Sequence, residues 1–427
     1  MSENQATNSD TKKSKPAART QRKRRKPPFY FKIILLLGAL FFALVFAEIA
    51  VRVILPQPLS GVMYAADPYF GFWNKANLES KQFHSDAHTP PYRVTTNAQG
   101  YRMKDPVPTP KPDDLVRVVV VGDSFVYGVG LANEDTFCHQ MEAILRADPD
   151  FLSGRRIQVV NAGCPGWGTE NAIAFLQKRI EELEPDLVIY AMYRNDLKDN
   201  MRRLVFQVED DQLIHAPNKK YNRFKRIADS IPFYTFFSEH SQLLNLVRRV
   251  VSNMVTQPAR KFELPETTRK KEDEKTKPTP IPTPTPTPRP GARIVSHPLE
   301  SGPDIPLYLV RHLDTFNLLM EEFMRLTDKV GATRFFVMLP GLYDCEEKPI
   351  IQYAAAQAYG EKWENEGRLP FLSLRSVFLD LEEPSHYFIP SDGHYNANGH
   401  ELVARELAPR VREILKERFR KEDSPRP

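Results

Sequence analysis

A serine, a glycine-rich loop, an asparagine and a histidine preceded by an acid occur along this chain in an order suited to acyl chemistry. Gly122-Asp123-Ser124 follows the apolar run Val116-Arg117-Val118-Val119-Val120-Val121, so a hydroxyl stands where a buried strand emerges into a loop. In an open α/β sheet, ligands bind at the carboxyl ends of the strands. A serine hydroxyl is inert at its own pKa and needs an imidazole to take its proton. Of the ten histidines, His394 alone follows an acid at close range in a Gly/Asn-rich loop near the chain's end. Asp392, two residues earlier, can accept the other ring N–H and fix the tautomer. A tetrahedral intermediate also needs donors for its oxyanion. Asn161-Ala-Gly-Cys-Pro-Gly-Trp-Gly-Thr169 supplies glycines whose backbone can approach a ligand, with a helix start behind them. Ser124, Gly166 and Asn195 would then offer one donor each from the ends of three neighbouring strands.

The elements that must position these residues follow from the hydrophobic pattern. Strands are expected at Val116–Val121, Ile157–Val160 and Leu187–Met192, and helices at Phe137–Arg146 and Glu170–Leu183. After a break the alternation resumes, with a helix at Leu307–Val330 and a strand at Arg334–Leu339. A helix at Ile350–Asn365, a short strand near Pro370–Leu372 and a last helix at Gly399–Arg418 follow, the last capped by Asn396 or Asn398. Apolar strands separated by helices imply a parallel sheet covered on both faces, hence an α/β fold of three layers. The break, 204–304, reads as an insertion. It contains a polar hairpin at Val205–Ala216, a helix at Ser241–Met254, a charge run at Arg269–Lys277 and the repeat Pro278 to Pro290, which must be extended. Residues 115–203 and 305–420 are the two parts of one domain, and 56–114, rich in turn residues around Thr95–Arg102, is a neck leading into it.

Residues 1–32 carry ten Lys/Arg against Glu3 and Asp10, a charge of +8 that leaves −3 for the rest of a chain whose formal total is +5. The body therefore has no basic excess, which argues against nucleic-acid binding. Residues 1–29 read as a basic, disordered tail. Residues 30–55 hold the apolar stretch Ile33–Ala47, resuming past Glu48 to Leu55, which reaches the roughly 20 residues of a membrane-spanning helix. A cleaved signal peptide ending at Val45-Phe46-Ala47 is the alternative; the length of the run favours a transmembrane anchor. Positive charge stays inside, so the amino terminus is cytoplasmic and the domain lies on the outer side, periplasmic or extracellular. Glu48 and Arg52 share a helix face and can pair. Three cysteines, Cys138, Cys164 and Cys345, are too few for a disulfide framework.

These motifs resemble those of the SGNH (GDSL-type) hydrolases over about 115–200 and 305–415. Gly122-Asp-Ser-Phe-Val-Tyr-Gly128 looks like block I, Asn161–Thr169 like block II, Asn195-Asp196 like block III and Asp392/His394 like block V. No serine lies in Gly-x-Ser-x-Gly, so the elbow of the α/β-hydrolases is absent. The resemblance implies a flavodoxin-like α/β/α fold, Ser124, His394 and Asp392 as catalytic residues, and Ser124, Gly166 and Asn195 as the oxyanion hole. It implies hydrolysis of O-acetyl or short acyl esters, on a glycan or a small molecule, with no metal and no cofactor. Two departures stand out. The family's acid commonly lies three residues before the histidine, where this chain has Ser391. Tyr193-Arg194 replaces the glycine that opens block III, suggesting a bulkier, positively charged wall. Three alternatives remain open: O-acyl transfer to a polysaccharide, a non-catalytic envelope assembly subunit, and a metal site joining Asp392 and His394 to His386 and His400.

Overall fold

The structure, a computed structural model, describes residues 28–55, 63–82, 90–152, 154–203, 205–210, 212–216, 230–256, 307–346, 349–390 and 392–423. The basic tail, the proline repeat and Ser391 lie outside these residues. Two compact units result, Met1–Leu55 and Pro56–Pro427. In the first, helix α1 (Phe29–Ile54) has 26 residues and is long and apolar enough to cross a membrane. At 1.5 Å per residue it is roughly 39 Å long, more than the ~30 Å of a bilayer's hydrocarbon. Arg52 Nε and Glu48 Oε1 pair at 2.7 Å on its surface.

The second unit begins with two antiparallel pairs, β1 (Tyr64–Asp67) with β2 (Gly71–Asn74) and β3 (Glu79–Gln82) with β4 (Tyr92–Thr95). Then come β5 (Leu115–Gly122), α2 (Ser124–Tyr127), α3 (Phe137–Arg146), β6 (Arg156–Gly163), α4 (Thr169–Leu183), β7 (Leu187–Tyr193) and α5 (Asp196–Arg203). After α5 come the hairpin β8 (Phe206–Glu209) and β9 (Gln212–His215) and helices α6 (Tyr234–His240) and α7 (Gln242–Thr256). The chain closes through α8 (Leu307–Lys329), β10 (Thr333–Leu339), α9 (Ile351–Asn365), β11 (Phe371–Ser373), α10 (Arg375–Leu379) and α11 (Ala397–Asp423).

Five strands form one parallel sheet in the order β11-β10-β7-β5-β6. In core sequence order this is 5-4-3-1-2, the doubly wound flavodoxin-like arrangement, with its switch point at β5. Every residue of β5 is buried, as a central parallel strand requires. Its valines divide by alternation. Val119 and Val121 face a core with Ile173 and Leu176 of α4, Phe316 and Leu319 of α8, and Tyr353 and Trp363 of α9. Val116, Val118 and Val120 face a second core with Met141 and Leu145 of α3, Phe378 of α10, and Val403 and Leu407 of α11. The sheet is thus the middle of three layers, and each buried valine contributes about 1.5–3 kcal/mol relative to exposure. Arg117 is the polar exception inside β5. It is fully buried yet satisfied, donating to the carbonyls of Leu183 and Pro108 and to Gln158 Oε1.

Residues 63–82 and 90–114 do more than lead into the domain. Phe70, Phe72, Trp73, Tyr101 and Val107 join the core shared with α4, and the Trp73 and Phe175 rings stack at 4.9 Å. The turn expected around Thr95–Arg102 is present, with the Asn97 side chain accepting from Gln99 and Tyr101 N–H. Gly100 there has φ +86°, and a Cβ on it would lie 2.4 Å from Trp73 Nε1.

Candidate active site

Ser124 is the first residue of α2, so its backbone N–H has no partner within the helix. Asp123 caps that helix, its Oδ1 accepting the Phe125 N–H at 2.8 Å. Space for the cap comes from two residues without a Cβ. A Cβ on Gly122 would stand 2.4 Å from the Ala191 carbonyl oxygen, and one on Gly163 would stand 2.3 Å from Tyr127 N. The short helix therefore rests directly on the ends of β5 and β6, holding Ser124 at the switch point with 9% of its surface exposed.

His394 reaches this serine from 270 positions away, its Nε2 lying 2.8 Å from Ser124 Oγ. Its Nδ1 is hydrogen-bonded to Asp392 Oδ1. The two-residue spacing works because the chain turns between them. Gly393 has φ +80°, the Asp392 and Gly393 N–H groups both donate to the Ile389 carbonyl, and Ile389 N–H donates back to the His394 carbonyl at 2.7 Å. Phe125 packs against the imidazole, with ring centroids 5.0 Å apart. Beyond His394 the loop is tied down by Tyr395, whose hydroxyl donates to the Pro340 carbonyl at 2.6 Å. Asn396 accepts the Gly399 N–H at 3.1 Å, capping α11. His386 and His400 go elsewhere. His386 pairs with Glu383 at the surface, and His400 is buried, its Nδ1 accepting the Phe137 N–H. Burial pushes the His400 pKa down to about 3.

The glycine-rich loop follows β6, whose last residue Gly163 pairs with Gly122. Cys164 N–H donates to the Gly122 carbonyl at 3.1 Å, so the loop starts beside the strand end that carries Ser124. Gly166 has φ +82°, a backbone conformation that favours glycine. Trp167 is fully buried core, with no face open to a ligand. Asn195 follows β7, on the other side of β5. Its Nδ2 donates to Asp199 Oδ2 at 3.2 Å, and its amide lies close enough to Asp123 to favour that carboxylate's charged form. Its Oδ1 has no hydrogen-bond partner among the described residues.

Beneath the serine lies a group of acids that sequence reasoning did not single out. Asp123 is 1% exposed, and its Oδ2 lies 3.3 Å from Ser124 Oγ. Burial pushes its pKa up to about 6, opposed by the Phe125 N–H, by His394 and by the Asn195 amide. Asp196, also buried, receives the Tyr190 hydroxyl at 2.9 Å, and burial together with the neighbouring Asp123 raises its pKa well above the carboxylate range. The readable signal was spacing: Asn195 and Asp199 are four apart at a helix start, so their side chains share a face. The charge expected at Tyr193-Arg194 is balanced. Arg194 Nε pairs with the buried Asp344 at 3.0 Å, and Tyr193 lies against Phe125 at 4.2 Å between centroids. No disulfide links the cysteines; Cys138 and Cys164 are buried, and Cys345 is partly buried. A cavity of about 650 Å³ opens at the opposite, amino-terminal end of the strands, lined by Leu115, Leu152, Arg156 and Ile157. It includes none of the site residues.

No protein-family model and no curated protein matches the chain. Among solved structures it is similar to a lipase/acylhydrolase from Enterococcus faecalis, at 12% identity over 70% of this chain and 96% of that one, with a TM-score of 0.36. It is similar to an acetyl xylan esterase at 12% identity, 69% and 100% coverage and a TM-score of 0.36. Another is a psychrotrophic esterase from Pseudoalteromonas sp., at 10% identity, 70% and 97% coverage and a TM-score of 0.34. At such identities it is this chain's own residues that carry the functional reading.

Proposed function

We propose that the protein is a serine esterase, held to a membrane by α1, that cleaves carboxylic esters through Ser124, His394 and Asp392. The observation that carries this reading is the 2.8 Å approach of His394 Nε2 to Ser124 Oγ, with the second ring nitrogen taken by Asp392. Such a pair converts an inert hydroxyl into a nucleophile. Ser124 Oγ attacks the acyl carbon while its proton passes to Nε2. The oxyanion is received by the Ser124 and Gly166 N–H groups and the Asn195 amide, from loops at the ends of β5, β6 and β7. Collapse breaks the ester C–O bond, and Nε2 returns the proton to the departing alcohol. Water, deprotonated by the same imidazole, then releases the acid and restores the serine. Asp392 stabilises the imidazolium in both halves. The basic residues ahead of α1 favour a cytoplasmic amino terminus and an outward-facing catalytic unit.

Ser124→Ala, in the full chain in detergent, tests the reading with a short-chain aryl ester and a fluorophosphonate. Wild-type protein should turn over the ester and be labelled; the variant should do neither while keeping its thermal transition. Undiminished turnover by the variant would move the chemistry elsewhere. Turnover of the ester only when a glycan acceptor is added would identify acyl transfer instead of hydrolysis.

A further inference from the structure

The five residues Cys164-Pro165-Gly166-Trp167-Gly168 have little of their own to hold them. Two are glycines, one internal bond from Trp167 N–H to the Cys164 carbonyl spans them at 3.1 Å, and glycine carries the largest backbone entropy of any residue. An oxyanion donor is effective only when it is already in place. The loop's ends are tied by Cys164 N–H to the Gly122 carbonyl and by Gly168 N–H to Asn171 Oδ1, both at 3.1 Å; the further constraint comes from the β1–β2 hairpin. Asn74 Nδ2 donates to the Gly163 carbonyl at 2.9 Å, just before the loop. Trp167 Nε1 donates to the Phe72 carbonyl at 3.0 Å, within it. Asn171 Nδ2 donates to the Phe70 carbonyl at 2.9 Å, just after it. These three bonds bracket Gly166 at positions −3, +1 and +5. The hairpin is itself fixed, because Asp67 Oδ1 accepts the Tyr69 and Phe70 N–H groups and Trp73 Nε1 donates to the Gln99 carbonyl. Asn74, Trp167 and Asn171 are all buried, so water does not compete for these bonds. Trp167 also packs against Phe70 and Trp73, at 5.7 and 5.1 Å between centroids.

We infer that the β1–β2 hairpin is the clamp that sets the Gly166 N–H for the oxyanion, with Trp167 and Asn74 as positioning residues. The inference rests on the esterase reading above. It gives the segment between α1 and the sheet a part in turnover as well as in attachment.

Trp167→Phe keeps an aromatic ring but removes the N–H that holds Phe72, and Asn74→Ala removes the tie to Gly163. In the full chain, with active sites counted by fluorophosphonate labelling, each should lower kcat for an aryl acetate about tenfold with KM within twofold. Each should weaken inhibition by an arylboronic acid, which forms a tetrahedral serine adduct, by the same factor. Trp363→Phe, an equally buried tryptophan in the same core, should lower the thermal midpoint and leave both readouts alone. Should Trp167→Phe fail to fold, Asn74→Ala decides. Unchanged kcat and boronate affinity per labelled site in the folded variants would overturn the clamp while leaving the esterase standing. A wild type that is neither labelled nor active would overturn the esterase reading itself.

Discussion

Replacing Asp123 by asparagine should make the protein's stability less dependent on pH, in a direction and by an amount that follow from the burial of one carboxyl. Asp123 is 1% exposed, and burial raises its pKa from 3.8 to about 6. The native carboxyl therefore keeps its proton over a range where the unfolded chain has released its own. Stability falls wherever the native state binds more protons than the unfolded one, so this group's contribution declines as pH rises from about 4 through about 6 and then levels off. Between pH 4.5 and pH 8 the decline amounts to about 2 kcal/mol. Asparagine does not titrate. In either orientation of its amide one donor, the Phe125 N–H or the Asn195 amide, loses an acceptor, at a cost of about 1 kcal/mol that is the same at both pH values and cancels from the difference. Urea unfolding of the full chain, followed by tryptophan fluorescence, reads this directly, because Trp73, Trp167 and Trp363 are all buried in the second unit. The stability of the variant relative to wild type should rise by about 2 kcal/mol from pH 4.5 to pH 8. Parallel curves for the two proteins would refute the claim that a desolvated carboxyl lies under Ser124. In the same variant kcat should fall, since the Asn195 amide loses one of its two neighbouring carboxylates and keeps only Asp199.

Asn195→Ala should lower kcat by ~10²–10³ through loss of one oxyanion donor; a change confined to KM, in steady-state kinetics on an aryl ester, would contradict that role. Glu170→Gln should show the same sign of pH effect as Asp123→Asn. Burial raises the Glu170 pKa to about 7 although Val205 and Phe206 N–H groups donate to it, so the variant should gain about 2–3 kcal/mol relative to wild type between pH 5 and pH 8. Chemical denaturation at the two pH values measures it. Arg194→Ala leaves Asp344, a fully buried side chain, with the Gly341 and Ile350 N–H groups and the field of Arg375 but without its paired cation. A loss of about 3 kcal/mol at pH 8 is expected, shrinking as pH falls because burial holds this carboxyl above the usual range, and calorimetry across the acid range would show it.

The sheet was legible because its strands are buried on both faces. Leu115–Gly122 and Leu187–Tyr193 are runs of apolar residues that no amphipathic helix of that length would need. The helices were legible by period, and Phe137–Arg146 has the bounds its pattern implies. The candidate residues Ser124, Gly166 and Asn195 were legible as types at strand ends, and Asp392 and His394 as an acid and an imidazole in one Gly/Asn-rich loop. Their environment was not. That Asp123 would be desolvated depends on α2 lying over two glycines, a close approach that no local pattern encodes. Phe70, Phe72 and Trp73 read as apolar residues scattered through a polar segment. Their partners, Trp167 and Phe175, lie about a hundred positions further on, and only tertiary packing makes the two groups one core. Nor could the β8–β9 hairpin be seen to meet the segment at Tyr69, where His215 stacks at 3.8 Å.

His394 and Ser124 lie 270 positions apart, so the accuracy of their contact has to be maintained by something other than chain proximity. Each partner is fixed by bonds that do not involve the other. Ser124 is held by the Asp123 cap and by the close seating of α2 on β5 and β6. His394 is held by the Ile389 turn, by Tyr395 on the Pro340 carbonyl and by Asn396, which donates to the His386 carbonyl at 2.7 Å. Pro340 directly follows β10, and β10 pairs with β7, which pairs with β5. The two side chains are therefore referenced to the same sheet along separate routes, one at its switch point and one two strands away. A change at Pro340 or Tyr395 acts first on the imidazole and reaches the serine's helix only through the packing of Tyr395 and His394 on Phe125.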